Sequence, residues 1–183
     1  LNGSRVAGRV LFADNDDGYK QSLRLHLPFY SLDTTASWRV QAIRSKQTDT
    51  QSFQGASVTE VTHKSEDYIA EFGRSKGLSS GVARRWTLGY RYQNDQFGNG
   101  VELPSPDHFP ANKTLSFPFL GYAATVDNYT TGFNFDQILR TEDIHVGYDL
   151  FTRFGFASTA LGSDADRIVV DGRFTDTLYY NTD

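Results

Sequence analysis

Cysteine and methionine are both absent from the 183-residue chain. Without cysteine there is no disulfide framework, no thiolate zinc or iron–sulfur site and no cysteine nucleophile. The lack of any methionine, the initiator included, reads as a processed protein or an excised segment. No run approaches the ~20 consecutive apolar residues of a membrane helix, which excludes an α-helical span but not a transmembrane β-barrel. A basic stripe is missing too: 18 Lys and Arg stand scattered against 22 Asp and Glu, for a net charge of −4. Nucleic acid is therefore not an expected partner. No linker, repeat or composition shift marks a boundary, so residues 1–183 read as a single barrel domain or a fragment of one.

What the chain does hold is aromatics, 14 Phe and 10 Tyr, and apolar residues spaced by two. Leu23, Leu25, Leu27 and Phe29 oppose Ser22, Arg24 and His26, which is the pattern of a half-buried strand. Trp38, Val40 and Ala42 repeat it against Arg39 and Gln41; Tyr68, Ala70 and Phe72 do so against Ile69, Glu71 and Gly73. Trp86, Leu88, Tyr90 and Tyr92 oppose Arg85, Thr87, Gly89 and Arg91. Ile144, Val146, Tyr148 and Leu150 oppose His145, Gly147 and Asp149, and Ile168, Val170 and Phe174 oppose Arg167, Asp171 and Arg173. Turn signals separate these runs: Asp14-Asn15-Asp16-Asp17-Gly18, Ser79-Ser80-Gly81, Asn94-Asp95, Gly98-Asn99-Gly100 and Gly162-Ser163-Asp164. Pro104, Pro106 and Pro110 make residues 100–113 a long loop, and a strand over 114–128 follows it. The expected fold is all-β, an antiparallel meander forming a barrel of about eight or nine strands of roughly 8 to 14 residues, alone or as part of a larger outer-membrane barrel.

Alternation does not say whether the apolar face meets a core or lipid. Three features favour lipid. Long charged side chains share the polar faces with Gly and Ser, as a wet lumen accepts; the lumen-facing candidates are Arg85, Arg91, His145 and Asp149. Tyr19, Phe29, Tyr30, Trp86, Tyr90, Tyr92, Tyr148, Phe151, Tyr179 and Tyr180 supply aromatics for interfacial girdles. The absence of Cys suits an extracytoplasmic compartment. Against lipid stand the mean hydropathy of −0.48 and charges such as Glu60 and Lys64 in a poorly patterned strand.

The runs Leu23-Arg24-Leu25-His26-Leu27-Pro28-Phe29, Trp86-Thr87-Leu88-Gly89-Tyr90-Arg91-Tyr92 and Leu139-Arg140-Thr141-Glu142-Asp143-Ile144-His145-Val146-Gly147-Tyr148 resemble, in strand texture, the barrel region of the bacterial outer-membrane surface-antigen family. The resemblance implies an assembly or secretion barrel with more strands than this chain supplies, hence a fragment. The Arg-Gly-aromatic motif of that family has no counterpart, because Gly172-Arg173-Phe174 carries those residues in another order.

Four motifs have competing structural readings. Gly73-Arg74-Ser75-Lys76-Gly77 matches a nucleophile elbow, but Leu78-Ser79-Ser80-Gly81 breaks the helix an elbow requires, so it reads as a Gly-rich hairpin. Asp14 to Gly18 clusters oxygen ligands with its Gly one position early for a calcium loop and no closing Glu, and it reads as a solvated turn, as does Asp164-Ala165-Asp166. His26, His63, His108 and His145 share no ligand spacing. Glu142 and Asp143 are neighbours and fall on opposite faces of a strand, which prevents them from acting as an acid–base pair.

The function expected is that of a non-catalytic outer-membrane barrel in transport, secretion or structural support, with no cofactor and no metal. Lipid would be its partner, and its edge strands, near residues 5–12 and 167–178, would pair with a second copy. Two alternatives place it in the periplasm or outside the cell: a soluble lipocalin-like barrel with an apolar ligand, and a β-sandwich carbohydrate or interaction module.

Overall fold

The computed structural model describes residues 5–54, 56–100, 102–104, 106, 108, 110–133 and 138–177. Ten strands follow one another: β1 (Ala7–Asn15), β2 (Gly18–Leu27), β3 (Ala36–Phe53), β4 (Ala56–Ser79), β5 (Val82–Asn99), β6 (Lys113–Val126), β7 (Tyr129–Phe133), β8 (Thr141–His145), β9 (Gly147–Ala157) and β10 (Arg167–Thr177). Eight form one antiparallel meander in the order β1-β2-β3-β4-β5-β6-β9-β10, and β7 pairs with β8 alone. The fold is the all-β antiparallel meander that the alternation indicates. Among the described residues β1 pairs only with β2 and β10 only with β9, which leaves the sheet two open edges.

Several boundaries differ from those expected. The strands β3, β4 and β5 hold 18, 24 and 18 residues, longer than the patterned segments suggest. Asn94 and Asp95 form no turn: they lie inside β5, opposite Glu66 and Ser65 on one side and Thr114 and Lys113 on the other. Gly98 and Asn99 also belong to β5, and Lys113 already belongs to β6. Gly73 to Gly77 is strand rather than hairpin, with a register shift between Ser75 and Leu78 that makes a β-bulge. The single strand expected through Ile144 to Leu150 is broken at Val146, where Gly147 takes φ +128° and the Val146 N–H donates to the Asn128 carbonyl at 2.8 Å. The β7–β8 hairpin is thus a kinked continuation of the β6–β9 pair. Pro118 lies within β6, but the ladder with β9 starts only at the next residue, Phe119.

The sheet is curled. A single flat layer exposes both faces, yet Phe117 is 1% exposed and packs with Ile69, Leu115, Phe119 and Ala157, which come from β4, β6 and β9. Arg153 on β9 feels the charges of Glu71, Arg91 and Arg39, the last of these four strands away on β3. That distance is roughly 19 Å in a flat sheet, at about 4.8 Å per strand, so the faces carrying these residues have turned toward one another. Glycines let the rings lie flat inside the curl: a Cβ at Gly89 would stand 2.4 Å from Phe119 Cζ, and one at Gly155 would stand 2.6 Å from Phe117 Cδ2.

The turns explain the remaining motifs. Asp16 and Asp17 make the two-residue β1–β2 turn, and Gly18 takes φ +144°, where a Cβ would meet the Lys46 carbonyl oxygen. So tight a hairpin cannot wrap a calcium ion. In the β9–β10 connection Asp164 forks onto Arg167 at 2.5 and 2.9 Å, and Asp166 accepts from the Thr159 N–H at 2.7 Å. The same connection holds the free side of β6, because Ser163 Oγ accepts from Ser116 N at 2.9 Å and donates to Ser116 O at 3.1 Å. The Arg167 hydrogen bond lowers the Asp164 pKa to about 2. Since the folded value lies below the unfolded one of ~3.9, the contribution of this clasp is complete above that value and is lost as pH falls through about 2. Asp164→Asn is expected to lower the unfolding midpoint at neutral pH, and its difference from the parent should vanish near the acid end of a pH titration.

Candidate functional site

Following the register across the strands sorts every side chain onto one of two faces. On the convex face Leu27, Trp38, Phe72, Leu88, Leu120, Phe154 and Val170 stand in one continuous row. A second row holds Gly8, Leu25, Val40, Ala70, Tyr90 and Pro118, and a third holds Val10, Leu23, Ala42, Tyr68, Tyr92 and Ser116. The side chains in these rows are exposed or half-buried, except Ser116, which is buried: Leu88 and Val170 are each 65% accessible, Phe154 57% and Val40 51%. The next row outward is polar from β2 to β6, with Gln21, Arg44, Glu66, Asn94 and Thr114, and ends in the exposed Phe12 on β1. The belt therefore has a defined edge.

The concave face carries the charges. Arg91 Nε and Nη2 donate to the two oxygens of Asp67 at 2.9 and 3.1 Å. Arg39 Nε sits 2.9 Å from Glu71 Oε1 as an ion pair, and Arg24 donates to Gln41 Oε1 at 2.7 Å. The Arg153 guanidinium lies 4.7 Å from the centroid of the Phe119 ring. Arg85 donates to the Ser31 carbonyl at 3.1 Å and covers the Phe29 ring. Cations are thus met by carboxylates, amide oxygens or ring faces, the arrangement that makes charge tolerable where water is partly excluded.

Of the four residues singled out from sequence, Arg85, Arg91 and Asp149 lie on this concave face. His145 stands on β8, its Nδ1 3.8 Å from Asp149 Oδ2 and its Nε2 against the Val126 carbonyl. Asp149 also bears on Arg85, so these three share one corner, while Arg91 belongs to the separate pair with Asp67. Glu71, Asp67 and Arg153 were not among the four. Only the register brings them into contact, although Arg39 and Glu71 already fall on the polar side of the alternation.

Of the expected girdle aromatics, Trp86, Tyr90, Tyr92 and Tyr148 fall on the convex face. Phe151 does not: it pairs with Ala123 and Arg173 on the concave side, beneath Arg153. Phe29 also turns inward, against Gly73. Tyr179 and Tyr180 lie outside the described residues.

Ser75 has no elbow geometry. Its Oγ donates to the Arg84 carbonyl at 2.8 Å and accepts from the Gly77 N–H at 3.0 Å, which ties the bulge together, and strand rather than helix follows. Ser75→Ala should cost about 1 kcal/mol in a denaturant titration, and a serine-directed phosphonate should leave Ser75 unlabelled. Among the described residues no group of three or more His, Asp or Glu is placed to hold a metal ion.

The chain matches no family model, and neither a curated protein nor a solved structure matches it, so the likeness to surface-antigen barrels rests on strand texture alone.

Proposed function

We propose that the chain forms all or part of a bacterial outer-membrane β-barrel that serves transport, secretion or structural support rather than catalysis. The observation that carries this reading is the inversion of the two faces: an uninterrupted apolar belt is exposed on the convex side, while paired charges line the concave side. A soluble ligand-binding barrel needs the opposite arrangement, with the apolar rows around its cavity. Trp86 to Tyr92 on β5 spans about 20 Å, close to the ~25 Å apolar band of an outer-membrane barrel, and Tyr68 and Tyr92 mark the edge where aromatic girdles lie. The charged concave face, with Arg85, Arg91 and Asp149, would then line the wet lumen.

Only two tryptophans exist, and both stand on the convex face in adjacent rows, Trp38 opposite Phe72 and Trp86 opposite Arg74. In bilayers of acyl-brominated phosphatidylcholine, fluorescence from both should be quenched, with Trp38 quenched by bromines nearer the bilayer centre. Fluorescence that no bromine position dims would sink the proposal.

A further inference from the structure

Beside the belt, at the end opposite the long β3–β4 hairpin, β4 and β5 enclose a groove of about 510 Å³. Its lining includes Arg74, Lys76, Arg84, Trp86, Ser75 and Val82, and among the described residues no carboxylate contributes to it. The register explains the crowding of cations. Arg74 stands directly opposite Trp86, one row outside Phe72 and Leu88. Beyond it the bulge sets Lys76 and Gly77 together across from Arg84, because Ser75 pairs with Arg85 and Leu78 with Ala83. Like charges facing each other across two strands repel, and among the described residues no acid lines the groove to offset that repulsion. The nearest acid along the bulge, Asp33, accepts from the Leu78 N–H at 3.3 Å and is not among the residues that line the groove. At the other edge of the belt the comparable cation, Arg44, is matched by Glu66 at 3.3 Å.

We infer that this groove binds the phosphate headgroup of an anionic phospholipid whose acyl chains lie along the belt. Resting on the outer-membrane reading above, the inference adds a lipid class and a place. The groove's Arg74–Trp86 row adjoins the apolar row of Phe72, Leu88 and Leu120, so a ligand seated there with its polar end among three cations can lay its apolar end on the belt. Arg74 reaches the groove with its guanidinium 5.4 Å from the Phe72 ring centroid, in the manner of a side chain that covers apolar surface with its stem and keeps its charge at the interface. Trp86, tilted against Tyr122 with ring centroids 4.7 Å apart, supplies the amphipathic wall favoured at headgroup depth. A soluble anion would find the cations but would have no use for the belt.

The test folds the whole chain into phosphatidylcholine bilayers with and without phosphatidylglycerol, and reads the lipids retained by native mass spectrometry. The parent should retain phosphatidylglycerol over phosphatidylcholine by roughly a hundredfold, the sum over three cations at an anionic surface. The combined variant R74Q, K76Q, R84Q should lose that preference. A control that removes the same charge elsewhere, R9Q, K20Q, R173Q, should keep it. Equal retention of both lipids by a parent that inserts normally overturns the inference and leaves the outer-membrane reading standing. Failure of the parent to insert in either bilayer overturns both. If inorganic phosphate at millimolar concentration strips the retained lipid, the groove is a free-anion site and the lipid assignment falls.

Discussion

Leu88→Arg should cost about 2 to 4 kcal/mol of folding stability in lipid, the penalty for a cation near the bilayer midplane. Leu88 sits in the apolar row one step inside the Trp86 edge of the belt and is largely open to whatever surrounds the protein. If the surroundings were water, replacing an exposed leucine by arginine would change stability by no more than ~0.5 kcal/mol. The two environments therefore predict effects separated well beyond measurement error. Thr50→Arg supplies the internal control: Thr50 is exposed on β3, faces Glu60 across the ladder and lies far outside the belt, so the same new charge should be nearly neutral there. Urea titrations of the two variants refolded in bilayers make the comparison. Equal tolerance at Leu88 and Thr50 would remove the lipid-facing role of the belt.

The low mean hydropathy and the charges at Glu60 and Lys64, which count against a membrane protein in the sequence, acquire a place in the structure. A strand crossing an outer membrane needs about 9 to 11 residues, and β4 has 24. Beyond the row of Arg44, Glu66 and Asn94, the strands β3, β4 and β5 continue as a polar arm in which Lys46 faces Lys64 and Thr48 faces Thr62. The arm holds its own contacts: His63 Nε2 meets Asp95 Oδ1 at 2.9 Å and its ring stacks on Phe97, while Glu60 accepts from the Glu102 N–H at 2.9 Å. Averaging hydropathy over belt and arm together hides the belt.

This division also explains which parts of the fold were legible in the sequence. Alternation appears where one face is apolar and the other polar, so Leu23 to Leu27 and Trp86 to Tyr92 could be recognised as strands, together with their outward residues. Along residues 45–52 and 59–65 polar side chains predominate on both faces, and the period disappears although the backbone remains extended. Asn94-Asp95 has the composition of a turn, but β4 and β6 flank it and hold it in the ladder. Through Ile144 to Leu150 the reverse holds: the alternation persists across the kink at Gly147, which only the backbone angle reveals. The pairings of the concave face depend on register: Arg91 lies opposite Ile69 yet reaches diagonally to Asp67, and no spacing within either strand encodes that reach.

Phe117→Ala is the second substitution with a large expected effect, about 3 to 5 kcal/mol, and it tests the other face. Phe117 is 1% exposed although only one sheet layer is present, which requires the curl to bring other strands over its ring. Ile69 and Ala157 pack against it, and Gly155 leaves the space that the ring fills. An alanine at 117 would empty that space, whereas a valine at 155 would enter it from the opposite side. Gly155→Val alone should destabilise by about 1 to 3 kcal/mol, because its Cβ would stand only 2.6 Å from Phe117 Cδ2, and overpacking forces side chains off their rotamers. Together the two changes should cost less than their sum by roughly 1 to 2 kcal/mol, since the valine methyls occupy part of the vacated volume. A flat sheet predicts something else: Phe117→Ala would be mild, Gly155→Val would be mild, and the two would add. Denaturant titrations of the parent, the two single variants and the double variant distinguish these cases. Strict additivity with small single effects would mean that the concave face around Phe117 is open and unpacked.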